Sequence, residues 1–114
     1  MLIRPHDAPE IVAARDNVEM RRLVRVEEHG PDLSLTWVRL TGRHRRLWTE
    51  RSTRVYYVLD GTATFQLGDA PELEVAAGDT IVVPRGTPYA FAGQMTYLVV
   101  NAPAFVEGDD VYEE

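Results

Sequence analysis

The sequence of 114 residues predicts an all-β fold, either a sandwich or a barrel. Two observations carry this prediction. Runs of alternating apolar and polar residues, or of β-branched and aromatic residues, recur at short spacing along the chain. Turn residues such as glycine, proline and aspartate separate these runs, and only the segment 9–17 is a candidate for a helix. Many short strands with regular turns are typical of sandwiches and barrels.

The individual strands follow from these runs. About eight or nine are expected, over 21–28, 33–41, 54–59, 62–67, 72–77, 79–84, 88–93 and 95–103. Asp60 and Gly61 predict a two-residue hairpin turn, because glycine accepts the positive φ that such a turn needs. Further turns are expected at 29–32 and 68–71, and Gly78 separates another pair of strands.

Composition predicts one domain over 1–114, with an N-terminal arm over about 1–20 and an acidic tail over about 107–114. The net charge of -6 argues against non-specific nucleic-acid binding. Without cysteine there are no disulfides or thiolate zinc sites, and without lysine there is no Schiff-base chemistry through a lysine side chain. No apolar run approaches the roughly 20 residues that cross a bilayer, and the N-terminus lacks a secretory signal. A cytoplasmic location without membrane contact is expected.

The segment GDTIVVPRGTPYAF resembles the second conserved motif of the cupin superfamily, in which two glycines, a proline and a histidine stand at fixed spacing. Gly78, Pro84 and Gly86 match that spacing. Tyr89 stands at the position where the family has its histidine. Pro84 ends an apolar strand, where a missing N–H is harmless.

A second segment, upstream, resembles the first cupin motif. Gly42 and Gly61 stand at the two ends of that motif. Trp48, Glu50 and Arg54 occupy the positions of its three metal ligands. The two motifs follow each other in the order that the family has.

The resemblance covers roughly residues 33 to 101 and implies a small β-barrel of the jelly-roll kind. Among the replaced ligand positions only Glu50 is an ordinary metal ligand, and Arg54 would place a permanent positive charge at the metal. No metal site and no other cofactor are therefore expected. His44 lies four residues before Trp48 and could in principle lend a ligand, whereas His6 and His29 lie outside the motifs. All three histidines are expected at the surface.

If the chain forms such a barrel, six side chains are expected to converge inside it, because residues two apart on a strand share a face. Glu50 is predicted to be a catalytic general base and Tyr89 a catalytic proton donor. Four further side chains are predicted to bind the substrate, one as an anion anchor and three as aromatic walls: Arg54, Trp48, Tyr56 and Phe91. An internal Glu50–Arg54 ion pair that binds nothing is left open.

Three functions are compatible with this set of residues. The first is a metal-independent enzyme that transfers protons next to a carbonyl group, as an isomerase, epimerase, dehydratase or cyclase, on a small and anionic or carbonyl-containing molecule. The second is a sensor or carrier that binds a small molecule without catalysis. The third is a metal-dependent cupin with atypical ligands. The sequence does not name a substrate.

Two further features concern partners. The basic run Arg43–Arg46, with Arg51 nearby, either attracts anionic substrates or is a solvated loop, or a partner for the acidic tail of a neighbouring subunit. No aromatic residues are interleaved with it, so nucleic acid is not an expected partner. A homodimer is expected, because residues 1–20 are available to cover an exposed sheet edge.

Overall fold

The computed structural model describes residues 1–113 and consists mainly of antiparallel β-strands. Eight strands are present in that range: β1 (Glu10–Ala13), β2 (Val18–Val24), β3 (Ser34–Thr49), β4 (Thr53–Leu67), β5 (Leu73–Ala76), β6 (Thr80–Val83), β7 (Tyr89–Ala102) and β8 (Asp110–Tyr112). Helical structure is limited to two single 3-10 turns, Pro5–Asp7 and Ala14–Asp16, and one α-helical turn, α1 (Val26–His29).

The three long strands β3, β4 and β7 form the centre of the fold. The strand order is β1-β2-β3-β7-β4-β5, while β6 pairs with β4 and β8 pairs with β3. β7 therefore contacts β3 along one edge and β4 along the other over nearly its whole length. The predicted all-β jelly-roll barrel is confirmed. Among the described residues, no helix is long and apolar enough to cross a membrane.

Alternate side chains of the long strands fill the barrel. Leu40 of β3, Val58 and Phe65 of β4 and Tyr89 of β7 are each 0% exposed. Burial of an aliphatic or aromatic side chain of this size contributes about 1.5–3 kcal/mol to folding. The period of two residues along each strand thus sets which side chains reach the interior.

The predicted hairpin turn at Asp60 and Gly61 is wrong. β4 continues through both residues, and its pairing with β7 shifts register between Val58 and Asp60, as at a β-bulge. Gly61 has φ 83°, and a Cβ there would lie 2.1 Å from the carbonyl oxygen of Gln94. The glycine is needed because the backbones of two bent strands come close, and not because the chain reverses there.

The same close approach joins two other predicted strands into one. The segments 88–93 and 95–103 both belong to β7, which runs through Gly93 without a turn. A Cβ on Gly93 would lie 2.5 Å from the carbonyl oxygen of Thr62, close to the register position of Gly61 on β4. Gly61 and Gly93 therefore mark close approaches within long strands, whereas Gly78 does separate β5 from β6.

The two ends of the described chain also differ from expectation. The candidate helix over 9–17 is wrong, because the segment forms β1 and the second 3-10 turn, and β1 pairs with β2. Part of the predicted arm 1–20 thus belongs to the sheet. The predicted strand over 21–28 ends at Val24. The predicted tail 107–114 contains β8, which pairs with β3, and residue 114 lies outside the described residues.

Gly61→Ala is expected to destabilise the fold far more than Gly78→Ala. Gly78 has φ 91°, but no atom lies within 4 Å of the point where its Cβ would stand, so alanine there adds only the backbone strain, roughly 1–2 kcal/mol. At Gly61 the clash with the Gln94 carbonyl adds to a similar strain, for a total of roughly 3 kcal/mol or more. Urea unfolding of both variants measures the difference, and equal losses would contradict this account of Gly61.

Candidate functional site

The barrel encloses an open cavity of about 220 Å³. Its wall consists of the inward side chains of the sheet, joined by residues of the second 3-10 turn, the segment after β7, and β8. The polar members of the lining are Asp16, Arg22, Thr36, His44, Arg54, Tyr56, Tyr97, Asn101, Asp110 and Tyr112. Aliphatic side chains such as Val38 and Val99 form the rest of the wall. The cavity is therefore polar on one part of its surface and apolar on another.

A β-bulge in β3 decides which of its side chains enter the barrel. His44 is the register partner of Phe91, whereas the next paired residue, Leu47, is the partner of Tyr89. Two residues of β3 thus stand opposite one residue of β7, and the alternation of faces inverts across the bulge. His44 and Leu47 both face inward as a result, and Leu47 is 0% exposed.

This inversion overturns the predicted inward orientation of Trp48 and Glu50. Trp48 is half-buried and is the register partner of Val111 on β8, and Glu50 is exposed just after β3 ends. Neither residue lines the cavity. The fully buried residue between them is Thr49, at 1% exposure. The motif spacing predicted the opposite face because it counts residues and contains no information about a bulge.

His44 lies in the cavity wall as a neutral base. Its ring stacks on Phe91 with centroids 4.6 Å apart, and Nδ1 is 2.9 Å from the backbone oxygen of Arg45. A carbonyl oxygen only accepts, so Nδ1 carries the proton and Nε2 has the lone pair. No group of residues 1–113 hydrogen-bonds Nε2. Burial lowers the pKa of His44, and the Arg54 charge also lowers it, so the neutral form prevails at neutral pH.

Asp16 holds the bulge from the second 3-10 turn. Its carboxylate accepts hydrogen bonds from Arg45 through the backbone N at 3.2 Å, Nε at 2.9 Å and Nη2 at 3.1 Å. Burial raises the pKa of Asp16, but the Arg45 hydrogen bonds and the nearby His44 outweigh burial and lower the pKa overall. Asn17 adds a hydrogen bond from Nδ2 to the backbone oxygen of Arg43. The N-terminal segment therefore holds the strand on which His44 lies.

Arg54 does not pair with Glu50, and its partner is Asp110 of β8. Nη2 donates to Asp110 Oδ1 at 2.6 Å, and the two side chains are 8% and 14% exposed. Nη1 donates to the hydroxyl of Tyr89 at 2.9 Å, and Nε donates to Asn101 Oδ1 at 3.2 Å. The guanidinium is thus held on three sides, and its charge is compensated by a residue from the segment predicted to be a tail.

Two phenols extend this network towards the cavity. The hydroxyl oxygens of Tyr56 and Tyr89 are 2.5 Å apart. Tyr89 accepts from Arg54, and within residues 1–113 its own buried O–H finds an acceptor only in Tyr56. Tyr56 is therefore left to donate its O–H into the cavity. Burial raises the pKa of both phenols, so both remain protonated donors at neutral pH.

The six predicted site residues separate into three groups. Arg54 and Tyr56 line the cavity, and Tyr89 and Phe91 lie directly behind them in contact with lining residues. Trp48 and Glu50 lie elsewhere. The internal Glu50–Arg54 pair is wrong for the same reason.

Sequence reasoning missed several lining residues, of which His44, Asp16 and Asp110 carry the most chemistry. His44 was expected at the surface, yet its side chain is only 12% exposed, whereas that of His6 is 74% exposed. Leu40, Gly42 and His44 are two residues apart on one strand, so His44 shares the face of the buried Leu40. The alternation of β3 could therefore have predicted that His44 is buried. Nothing comparable in the sequence points to Asp16 or Asp110.

The basic run 43–46 belongs to β3, and two of its arginines are paired within the chain. Arg45 binds Asp16 and lies 3.9 Å over the ring of Tyr112. Arg46 Nε lies 3.2 Å from Glu113, and Arg51 binds Asp109 at 2.8 Å. The acidic C-terminal segment of the same chain thus compensates Arg46 and Arg51, while Asp16 compensates Arg45. The alternative of a solvated loop is wrong, because the run lies in a strand.

The lining residues do not suit the metal that cupins commonly hold. Within the described range there is no group of three or more His, Asp or Glu side chains that could bind a metal ion. The acidic lining groups are already engaged, Asp16 by Arg45 and Asp110 by Arg54. A fixed guanidinium beside His44 would also repel a cation.

Fold and site together define a jelly-roll barrel whose cavity is lined by ionisable and hydroxyl groups. A sequence profile of the Cupin domain matches residues 41–101, which is more than half of the 114 residues. The chain therefore belongs to the cupin family, as the two motifs predicted. A comparison with curated protein sequences gives no significant match.

Several solved structures share the fold. The Streptomyces protein PAC13, in a tyrosine-to-phenylalanine variant with uridine, matches with a TM-score of 0.87 and 22% identity over 100% of this chain and 90% of that chain. Pac13 is described as "a unique nucleoside dehydratase" in a further match, with a TM-score of 0.87 and 23% identity over 100% of this chain and 91% of that chain. Oxalate decarboxylase from Bacillus subtilis matches with 0.83 and 19% over 95% of this chain but 30% of its own. At such identities the likeness establishes a shared fold.

The lowered pKa of His44 predicts a pH-dependent stability. An unfolded histidine titrates near 6.5, so below this pH the unfolded chain binds a proton that folded His44 resists. The melting temperature is expected to fall as the pH drops from about 6.5 to about 5, and His44→Gln should remove that part of the fall. The contribution of Asp16, whose pKa is also lowered, is lost only below its ordinary 3.8.

Calorimetric scans across this pH range measure the effect, with exposed His6→Gln as the control. An identical fall in wild type and His44→Gln would contradict the assignment.

Asp110→Asn is expected to lower the free energy of unfolding by roughly 3 kcal/mol or more, because it leaves a buried guanidinium without a counter-charge. Glu113→Gln, three residues on, is the control. Its side chain is 59% exposed, so removal of its pair with Arg46 should cost about 1 kcal/mol or less. Guanidinium-chloride unfolding compares the two variants, and a loss at Asp110 as small as that at Glu113 would refute the stabilising role of the Arg54 pair.

Proposed function

We propose that this protein is a metal-independent cupin enzyme that transfers a proton next to a carbonyl group of a small molecule. The observation that carries the proposal is His44, whose Nδ1 is occupied by the Arg45 backbone oxygen while Nε2 has no hydrogen-bond partner in residues 1–113. A neutral imidazole in a cavity is suited to general-base catalysis. The sequence-based choice of Glu50 as the base is not retained, because Glu50 is exposed.

The proposed reaction begins at a carbon adjacent to the carbonyl group. His44 Nε2 takes the proton from that carbon, and the electron pair of the C–H bond moves to the carbonyl oxygen, which becomes an enolate. The O–H of Tyr56 donates a hydrogen bond to this oxygen, and the Tyr89–Arg54 chain behind it stabilises the negative charge. These donors are already oriented before the substrate binds.

Dehydration completes this sequence with atoms and charges balanced. The enolate electrons form a carbon–carbon double bond as the C–O bond to a β-hydroxyl breaks. The leaving oxygen takes the proton from the His44 imidazolium and departs as water, and His44 is neutral again. An isomerase would return the same proton to a different atom of the substrate, which leaves isomerisation as the related alternative.

The comparisons support dehydration as the reaction to test first. Pac13 is named as a nucleoside dehydratase, and structures of that protein with uridine include tyrosine-to-phenylalanine and histidine-to-glutamine variants. Tyrosine and histidine are also the residue types around this cavity. We therefore propose a nucleoside-like hydroxy-carbonyl compound as the first substrate class.

His44→Gln is expected to reduce turnover about 100-fold or more and to leave ligand binding largely intact, because the glutamine amide fills similar space without being a base. The assay incubates wild type with a panel of oxidised and unoxidised nucleosides and detects, by mass spectrometry, a product lighter by one water molecule. Tyr56→Phe should also reduce turnover, and exposed His6→Gln is the control. All reactions are repeated with a chelator.

Each outcome of this assay decides between the functions that the sequence left open. Turnover that survives His44→Gln but is lost in Glu50→Gln contradicts the role of His44. Turnover abolished by the chelator and restored by a divalent ion favours the metal-dependent alternative. Binding of a panel member without any product favours the sensor or carrier.

A homodimer stays a proposal. On the outer face of β4 and β6, the apolar side chains of Tyr57, Leu59 and Val82 are 45%, 42% and 54% exposed, and a second copy would cover them. Light scattering measures the mass directly, and a monomer at all concentrations would contradict it. The cytoplasmic location and the absence of a nucleic-acid partner also stay predictions.

A further inference from the structure

One part of the cavity wall contains a buried donor that the protein does not satisfy. Asn101 of β7 lines the cavity and is 3% exposed. Its Oδ1 accepts a hydrogen bond from Arg54 Nε, which can only donate, and this fixes the orientation of the side-chain amide. Nδ2 then has no hydrogen-bond partner in the described residues. A buried N–H without a partner is costly, so an acceptor on a bound molecule is expected to meet it.

Arg22 lines the same cavity from β2, two strands away from Asn101. Its register partner on β3 is Thr36, whose partner on β7 is Val99, two positions before Asn101. Both Arg22 and Thr36 line the cavity. The guanidinium carbon of Arg22 lies 4.7 Å from the centre of the Phe105 ring, a cation–π contact that holds the group without neutralising it.

The remaining charges of the lining are compensated. Arg54 is paired with Asp110, and Asp16 is paired with Arg45. Arg22, by contrast, has no carboxylate within salt-bridge distance in the part of the chain that the structure describes. Arg22 is thus the lining charge left without a counter-charge, in the same cavity as an unused N–H donor. Such a combination attracts an anionic group with acceptor oxygens.

We propose that Arg22 and Asn101 form an anion subsite, which binds a carboxylate or phosphate group of the substrate. The anchor of the ligand is then Arg22, and not Arg54, whose charge Asp110 already neutralises. The role of this subsite in catalysis rests on the proposed function, and it implies that the substrate is an acid or a phosphorylated compound. The subsite itself depends only on the two side chains and is tested without turnover.

The experiment titrates inorganic phosphate, and separately acetate, into isotopically labelled protein at neutral pH and follows it by nitrogen–proton correlation NMR. The side-chain amide of Asn101 is expected to shift with a dissociation constant in the millimolar range. Phosphate and acetate distinguish the two sources of the anionic group. Arg22→Gln should weaken the response about tenfold or more.

Two further variants sharpen the test. Asn101→Asp keeps an acceptor for Arg54 Nε but replaces the N–H donor with a negative charge, which repels an anion. The backbone amides of Thr36 and Val99 should then no longer shift when the anion is added. Arg39→Gln is the matched control. Arg39 also lies over an aromatic ring, at 5.4 Å from that of Trp37, but its side chain is 55% exposed on the outer face.

The subsite is overturned if the Asn101 amide shifts with neither phosphate nor acetate. It is also overturned if Arg22→Gln leaves the affinity unchanged, or if Arg39→Gln weakens it equally. Failure of the proposed function is a separate result. If phosphate binds through Arg22 while no nucleoside-like compound is turned over in a His44-dependent way, the subsite stands and the dehydratase proposal falls.

Discussion

The extra residue in β3 between His44 and Leu47 is the constraint on which the cavity depends. It brings two side chains of one strand to the same face and turns every later side chain of that strand around. Asp16 stabilises this irregular backbone from a separate segment through three hydrogen bonds to Arg45. A bulge left with unpaired backbone groups would be unfavourable, so the 3-10 turn and the bulge depend on each other.

Charge compensation is the second requirement of this interior. A fully buried charge in the wall of a small barrel is costly unless it has a partner. Arg54 meets this requirement through Asp110, Tyr89 and Asn101 at once. The same contacts fix Tyr56 through Tyr89. Stability and pre-orientation of donors are thus two results of one network, and the donors need little rearrangement when a substrate arrives.

The fold class was predictable from the sequence, because alternating apolar residues and turn residues indicate strands whatever the register in which those strands pair. Gly78, Pro84 and Gly86 identified the family at the correct spacing, and Arg54, Tyr56, Tyr89 and Phe91 were correctly placed in the interior. Gly61 was misread as a hairpin turn, because a positive φ looks the same in sequence whether it serves a reversal or a close approach of two strands.

The candidate site was less predictable, for a physical reason. The inward set of β3 depends on a bulge that Asp16 stabilises from almost thirty residues away. The partner of Arg54 comes from β8, over fifty residues further along the chain. Local patterns contain neither relation, since side-chain pairing across a barrel is set only when the strands have closed on each other.

The position of β8 in the chain determines when the barrel can be completed during translation. Of the described strands it leaves the ribosome last, yet it supplies Asp110, which compensates an arginine translated much earlier. A nascent chain can pair β3, β4 and β7 before that carboxylate has left the ribosome, but it would then bury an uncompensated guanidinium or keep that part of the barrel open to water. The cavity is therefore expected to close only once β8 has emerged, so that any chain able to bind a ligand is one whose translation has passed this strand.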